Sequence, residues 1–208
     1  MSKRVFVAMS GGVDSSVAAA LLKERGFGVV GIHMRMWAPG AAEGQKTNAE
    51  SPMDRVCRQQ FQDRLDAMRV AAKLDIPFQT WDFSKEYRQT VVDYMIRGYA
   101  AGRTPNPDVM CNREIKFGLF LKRALAAGAD YIATGHYVRK GVVKSPASAT
   151  APAGRRQSKV KSYGLAHARD LNKDQSYFLW TLTQDQLRHS LFPIGEYTKP
   201  EVREMARK

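Results

Sequence analysis

Ser10-Gly11-Gly12-Val13-Asp14-Ser15-Ser16 stands between the apolar run Val5-Phe6-Val7-Ala8-Met9 and the Ala- and Leu-rich residues 17–22. The run before it is short, continuous and rich in β-branched and aromatic side chains, the composition of a strand buried on both faces. The run after it predicts a helix ending at Gly26. The loop between is built from small residues, and it sets backbone N–H groups and hydroxyls at a helix N-terminus, where the dipole favours negative charge. A Gly-Gly pair alone would suggest an ordinary tight βα turn. Strand, small-residue loop and helix in that order predict a phosphate seat.

The spacing excludes two familiar loops. There is no Gly-x-x-x-x-Gly-Lys-Ser/Thr, so this is not a Walker loop, and no Gly-x-Gly-x-x-Gly of the dinucleotide folds. The stretch instead resembles the pyrophosphate loop of the N-type ATP pyrophosphatases. That resemblance implies cleavage of ATP between its α and β phosphates, adenylation of a carbonyl oxygen, and displacement of AMP by a nucleophile.

With 208 residues, 44% hydrophobic and 25% charged, the chain has the make-up of a soluble globular protein, and a single domain over residues 1–208 is expected. A formal net charge of +13 points to a polyanionic partner, nucleic acid before an anionic membrane surface, with plain solubilising charge as the alternative. No apolar run approaches the roughly 20 residues of a membrane span. The first strand leaves no room for a signal peptide. Cys57 and Cys111 make no secreted disulfide framework and fall short of a three-thiolate iron–sulfur site. The expectation is a cytoplasmic monomer with reduced thiols, no membrane contact and no metal-ligating residues.

Beyond Gly26, Val29-Val30-Gly31-Ile32-His33-Met34 reads as a second strand. Residues 37–52, with Pro39, Gly40, Gly44 and Pro52, read as a loop with freedom to move. Val56, Phe61, Leu65, Met68 and Ala72 recur at three-to-five spacing and predict an amphipathic helix over about 53–74, with Cys57 as a core residue within it. Pro77 stops that helix, and Phe78-Gln79-Thr80-Trp81-Asp82-Phe83 alternates as a strand. Ser84 is placed to cap a helix carrying Tyr87, Val91, Tyr94 and Met95 and ended by Gly102. After the aperiodic residues 103–112, a helix over about 113–127 leads through Gly128 to the strand Tyr131-Ile132-Ala133-Thr134, followed by Gly135-His136.

Strands alternating with helices over short connections predict an α/β fold, a mostly parallel, twisted, Rossmann-like sheet with helices on both faces. Ligands of such sheets sit beyond the carboxyl ends of the strands, where the 10–16 loop, Met34 and Gly135 all fall. Residues 141–161 turn to Ser, Ala, Pro, Gly and basic residues without an acid. They read as a flexible basic loop, either a linker or an arm attracting RNA phosphates. Thr183 with Gln186, and Thr198 with Glu201, have the spacing of capping boxes. No C-cap completes the helix after Thr198, so a longer protein is expected.

Cys111 lies in a proline-stiffened polar loop just before the expected helix start, with Arg113 and Lys116 close by. A helix N-terminus and cations lower a thiol's pKa. A partly ionised, reactive Cys111 is therefore expected rather than an inert core thiol, with Asp108 placed to move a proton. The thiol and the serine–glycine loop are expected to open on one hollow.

Thr104-Pro105-Asn106-Pro107-Asp108-Val109-Met110-Cys111-Asn112-Arg113-Glu114-Ile115-Lys116-Phe117 closely resembles the signature of bacterial and organellar tRNA-specific 2-thiouridylases. So do Ala133-Thr134-Gly135-His136-Tyr137 and Asn172-Lys173-Asp174-Gln175-Ser176-Tyr177-Phe178-Leu179. The resemblance implies that Ala8, Met9, Ser10, Gly11, Gly12, Val13, Asp14, Ser15, Met34 and Gly135 contact ATP. It implies that Asn106, Pro107 and Asp108 meet the target base and that His136, Lys173, Asp174 and Gln175 touch tRNA. Cys111 would be the nucleophile, Asp108 its proton partner, and Mg2+ the counterion of the phosphates. A persulfide sulfur-donor protein is the implied partner beside tRNA. The family's second, persulfide-bearing cysteine lies downstream of the segment resembling residues 201–208, and Cys57 does not match it, so turnover by this chain alone is expected to be incomplete. The competing expectations are an amide-forming ligase or lysidine synthetase with the same loop, and a non-catalytic RNA-binding module.

Overall fold

Strand β1, Arg4–Ala8, has Val5, Phe6 and Val7 all buried, so both of its faces are covered. The computed structural model describes residues 2–37, 52–143 and 162–208, the side chains of residues 52–57 excepted. Gly12 caps helix α1, Val13–Glu24, and strand β2, Gly28–Arg35, follows. Helix α2, Pro52–Lys73, leads to strand β3, Phe78–Asp82. Helix α3, Ser84–Tyr87, passes through a π-helical stretch, Arg88–Val92, into α4, Asp93–Ala100. Helix α5, Pro107–Met110, likewise passes through a π-helical stretch, Cys111–Phe120, into α6, Leu121–Ala126. Strand β4, Tyr131–Ala133, precedes β5, Arg139–Val143, and β6, Ser162–Ala166. A short turn, Ser176–Phe178, helix α7, Gln184–Arg188, strand β7, Ser190–Leu191, and helix α8, Lys199–Arg207, complete the described chain.

Five strands pair in parallel in the order β3-β2-β1-β4-β7, and β5 and β6 form a separate antiparallel hairpin. On one face Phe6, Ile32 and Ile132 lie under Ile115, Phe117 and Phe120, with Trp81 alongside. On the other, Val5, Val7 and Val29 lie under Ala19 and Leu22 of α1 and Ala67 of α2. Helices therefore cover both faces, as the alternation of elements predicts, and each fully buried side chain of this size contributes about 1.5–3 kcal/mol. A third cluster joins Val17 and Ala18 of α1 to Tyr137, Ile194 and Val202, which brings α8 against the first helix.

The structure departs from the sequence-based expectation at several elements. The helix expected from about residue 113 begins at Pro107, because Asn106 supplies the cap and Pro107 sits in the first turn, where its missing N–H costs nothing. Ser84 is the first residue of its helix and not the cap; Asp82 Oδ1 accepts from Ser84 N at 2.8 Å. Helix α2 buries Ala67 and Ala71, whereas Phe61 and Met68 are exposed. Gly141, Val142 and Val143 belong to β5 and not to a loop. The remainder of the expected basic loop, the loop over residues 38–51 and the side chain of Cys57 lie outside the described residues.

Candidate active site

The serines of the 10–16 loop fix its shape. Ser15 Oγ accepts from Ser10 N at 3.2 Å and donates to Gly12 O at 3.1 Å; Ser16 Oγ donates to the same carbonyl at 2.9 Å. The cap residue, Gly12, has no side chain to accept from the first-turn N–H groups of α1, and these remain for an anion. Gly11 has a φ of +80°, and a Cβ there would run into the carbonyl oxygen of Asp63 in α2. A Cβ on Gly135 would stand 2.7 Å from Ser15 N. The loop is thus closed on one side by α2 and on the other by the segment leaving β4.

A cavity of about 390 Å³, within the range of small-molecule sites, opens at the carboxyl ends of β1, β2 and β4. It is lined by Ala8, Met9, Ser10, Asp14 and Ser15 from β1 and the loop, and by His33, Met34 and Met36 from β2 and its exit. Gln60 and Asp63 of α2, Lys116, Thr134, Gly135, His136 and Gln175 complete the lining. Residues far apart in sequence and expected at one site thus share one hollow. Gly11, Gly12 and Val13 shape its loop without lining it; Asn106, Pro107, Asp108, Cys111, Lys173 and Asp174 are not in the lining either.

Several of the lining polar groups are held by hydrogen bonds. His33 Nδ1 lies 3.2 Å from Met9 O, and burial pushes its pKa below the ordinary histidine value. His136 Nδ1 lies 2.8 Å from Thr134 Oγ1; burial first, then the charge of Lys116, pushes its pKa down to about 3. Its imidazole is therefore neutral, and Lys116 is the one lysine or arginine among the described lining residues. Asp14 Oδ1 accepts from Tyr137 OH at 2.9 Å and from Lys199 Nζ at 2.6 Å. Gln175 is clamped to Tyr137, its Oε1 accepting from Tyr137 N and its N donating to Tyr137 O, both at 2.9 Å. Its neighbours differ: Lys173 is exposed, while Asp174 accepts from Ala168 N at 2.7 Å and Ser176 Oγ at 2.6 Å inside its own turn.

Cys111 is half-buried and packs against the cluster around Phe117 and Ile115. Asn106 Oδ1 accepts from Asp108 N and Val109 N, both at 3.1 Å, and so starts the helix four residues before Cys111. The thiol consequently sits a full turn inside the helix, against hydrocarbon. Burial pushes its pKa up, Lys116 pulls it down, and Asp108 pushes it up again, for a net rise. This corrects the expectation of a partly ionised thiol at a helix start, and the cavity lining corrects the expectation that Cys111 opens directly on the loop. Lys116 is the link between them: it lies on the same π-helical stretch, lines the cavity and acts on the thiol.

The chain matches the model of the family described as the tRNA methyl transferase HUP domain over residues 3–208. It belongs to that family. The tRNA-specific 2-thiouridylase MnmA of Flavobacterium johnsoniae is 50% identical over 204 residues, covering 98% of this chain and 46% of the relative. The protein of that name from Thiobacillus denitrificans is 48% identical over 208 residues, covering 100% of this chain and 51% of the relative. The chain spans about half the length of the curated relatives it matches. Among solved structures, a predicted subunit of tRNA methyltransferase from Methanocaldococcus jannaschii superposes with a TM-score of 0.52 at 15% identity, over 99% of this chain and 74% of that one, a likeness of fold.

The cavity of this HUP domain is also lined by residues that no motif announces. Gln60 and Asp63, both half-buried beside the loop, lie one turn apart on the stripe of α2 that continues into the buried Ala67 and Ala71. His33 and Met36 flank Met34 at the end of β2, and their role follows only from the strand's place in the sheet. Among the described residues no helix is long and apolar enough to cross a membrane.

Proposed function

We propose that this chain carries out the ATP-dependent chemistry of tRNA 2-thiolation. The adenylyl group of ATP passes to O2 of the wobble uridine, pyrophosphate leaves, sulfur attacks C2, and AMP departs. Uracil O2 is a poor leaving group, and the adenylyl group makes it a good one. The observation that supports this reading above all others is the single cavity shared by the serine–glycine loop, Met34 and Gly135. The names of relatives about half identical to this chain point the same way.

The first-turn N–H groups of α1 receive phosphate, Gly135 lets the chain close over them, and Lys116 offsets charge developing during transfer. Of the two lining carboxylates Asp14 is taken by Tyr137 and Lys199, so Asp63, whose Oδ1 accepts from Gln59 Nε2 at 2.6 Å, is the one that would hold Mg2+. When bound, Mg2+ neutralises phosphate charge. No group of three His, Cys, Asp or Glu gathers among the described residues.

The donor's persulfide attacks C2 through its outer sulfur as AMP leaves. Cys111, its proton taken by Asp108, exposed in the first turn of α5, then attacks the donor's inner sulfur. The S–S bond breaks, a Cys111–donor disulfide forms and 2-thiouridine is released. Asn106, Pro107 and Asp108 meet the target base, splayed out of the anticodon loop as unpaired bases are for such enzymes. His136, Lys173, Asp174 and Gln175 meet the tRNA, and the net charge of +13 attracts its backbone. A persulfide-carrying protein supplies sulfur, and the chain works as a monomer in the cytoplasm.

Incubation with unmodified tRNA, ATP, Mg2+ and sulfide, followed by nucleoside mass spectrometry, tests the reading. Formation of 2-thiouridine, with pyrophosphate released only when tRNA is present, is the expected outcome. Absence of both products would overturn it.

A further inference from the structure

Helix α8 reaches the phosphate loop through one side chain. Lys199 Nζ lies 2.6 Å from Asp14 Oδ1, and the Tyr137 hydroxyl donates to the same oxygen at 2.9 Å. We propose that Lys199 is a positioning residue for the nucleotide, neutralising Asp14 and holding its carboxylate off the N-terminus of α1 so that phosphate can take that place. The proposal rests on reading the cavity as an ATP site.

Asp14 is the second residue of α1. A carboxylate there ordinarily turns toward the N–H groups of its own first turn and is stabilised by the dipole. In that position it would occupy the donors a phosphate needs and repel the phosphate as well. The structure shows the opposite arrangement: no side chain caps α1, and the Asp14 carboxylate is drawn to Lys199 and Tyr137 instead. The ion pair is largely shielded, with side-chain exposures of 19% for Lys199 and 34% for Asp14, so it keeps more of its strength than a surface pair.

Lys199 is itself fixed from several sides. Its N–H donates to Asp170 Oδ2 at 2.9 Å, and its ammonium stands 5.8 Å from the Tyr137 ring centre. Glu201 Oε2 accepts from Thr198 N at 2.7 Å and from Thr198 Oγ1 at 2.9 Å, which sets the start of α8. Docking of α8 does not depend on the ion pair, because Val202 is buried against Val17 and Ala18 of α1. Lys199 does not line the cavity, so it acts through Asp14.

The test is a double-mutant cycle in the full chain, with ATP and adenosine binding measured by calorimetry in EDTA at low salt. K199M is expected to weaken ATP binding about tenfold, the scale of a part-buried charge at a helix terminus, and K199R to restore most of it. Adenosine, which lacks phosphate, is expected to bind K199M and wild type alike. D14N/K199M is expected to bind ATP as D14N does, since a neutral amide needs no partner charge. Equal ATP affinity of K199M and wild type, or the same loss in the D14N background, would overturn the proposal. Should K199M not fold, D14N decides: its ATP affinity is expected to rise, and a fall overturns the role given to Lys199. A wild-type chain that binds no ATP overturns the nucleotide reading itself and this inference with it.

Discussion

Gly135 and Ser15 meet backbone to backbone: a Cβ on Gly135 would stand 2.7 Å from Ser15 N and 2.8 Å from the carbonyl carbon of Asp14. No flexible side chain is there to give way. The contact joins the exit of β4 to the first turn of α1, so it closes the cavity on that side of the serine–glycine loop. Gly135→Ala is expected to reduce ATP affinity more than tenfold and to cost about 1–3 kcal/mol of stability, the usual penalty of overpacking. Calorimetric titration and urea denaturation check both numbers; unchanged binding would mean the close approach has no part in the site.

His136 is held neutral by burial and by Lys116, with a pKa of about 3 against an ordinary 6.5. The sign follows from linkage. Below pH 6.5 the unfolded chain takes up a proton that the folded chain refuses until about pH 3, so His136 makes stability fall as pH drops through that window. The slope is expected to approach about 1.4 kcal/mol per pH unit well below the ordinary histidine pKa. His136→Gln is expected to flatten that part of the stability profile, and the ring resonances of His136 are expected to stay still between about pH 8 and 5 in an NMR titration.

The Cys111 thiol is pushed up by burial, against the pull of Lys116. Thiolate is the reactive form, so labelling by iodoacetamide is expected to be slow near neutral pH and to speed up only at pH values above the ordinary cysteine range. Lys116→Met removes the pull toward ionisation and is expected to slow labelling further at a given pH. Mass-spectrometric quantification of labelled Cys111 peptide gives the rates. Fast labelling at neutral pH would contradict the burial described above.

Asn106 caps the helix that carries Cys111, accepting from two backbone N–H groups at 3.1 Å. Asn106→Ala is expected to cost about 1 kcal/mol, and Asn106→Asp to recover most of it, since a carboxylate caps as well and suits the dipole. Thermal unfolding of the three proteins checks this order.

What can be read in the sequence follows how local each signal is. Strands β1, β2 and β4 are apolar runs, β3 alternates, and the serine–glycine loop is contiguous, so the amino-acid order alone carries the sheet type and the expectation of a phosphate seat. Strand β7 has two residues, Ser190 and Leu191, too few for a period, and exists because β4 offers an edge beside it. The buried face of α2 is not the one its periodicity picks out, because Phe61 and Met68 carry the hydrophobic signal while Ala67 and Ala71 carry the packing. Cys111 reads as an ionised thiol because Asn106, set between two prolines, does not stand out as a cap. The earlier helix start moves the thiol from the end of the helix into hydrocarbon. Gln60 and Asp63 have no local signature, and only the close approach at Gly11 brings α2 to the site.

The partners Lys199 and Asp14 stand 185 residues apart. Loop closure over that separation is slow compared with forming α1 or the β1–β2 pair, whose contacts are near in sequence. During synthesis the glycine turn is made first, yet its acidic side chain waits for a helix that leaves the ribosome after every strand of the parallel sheet. A nascent chain halted before residue 199 would hold Asp14 through the Tyr137 hydroxyl alone, so the charge beside the turn is balanced only after the sheet that carries it has folded.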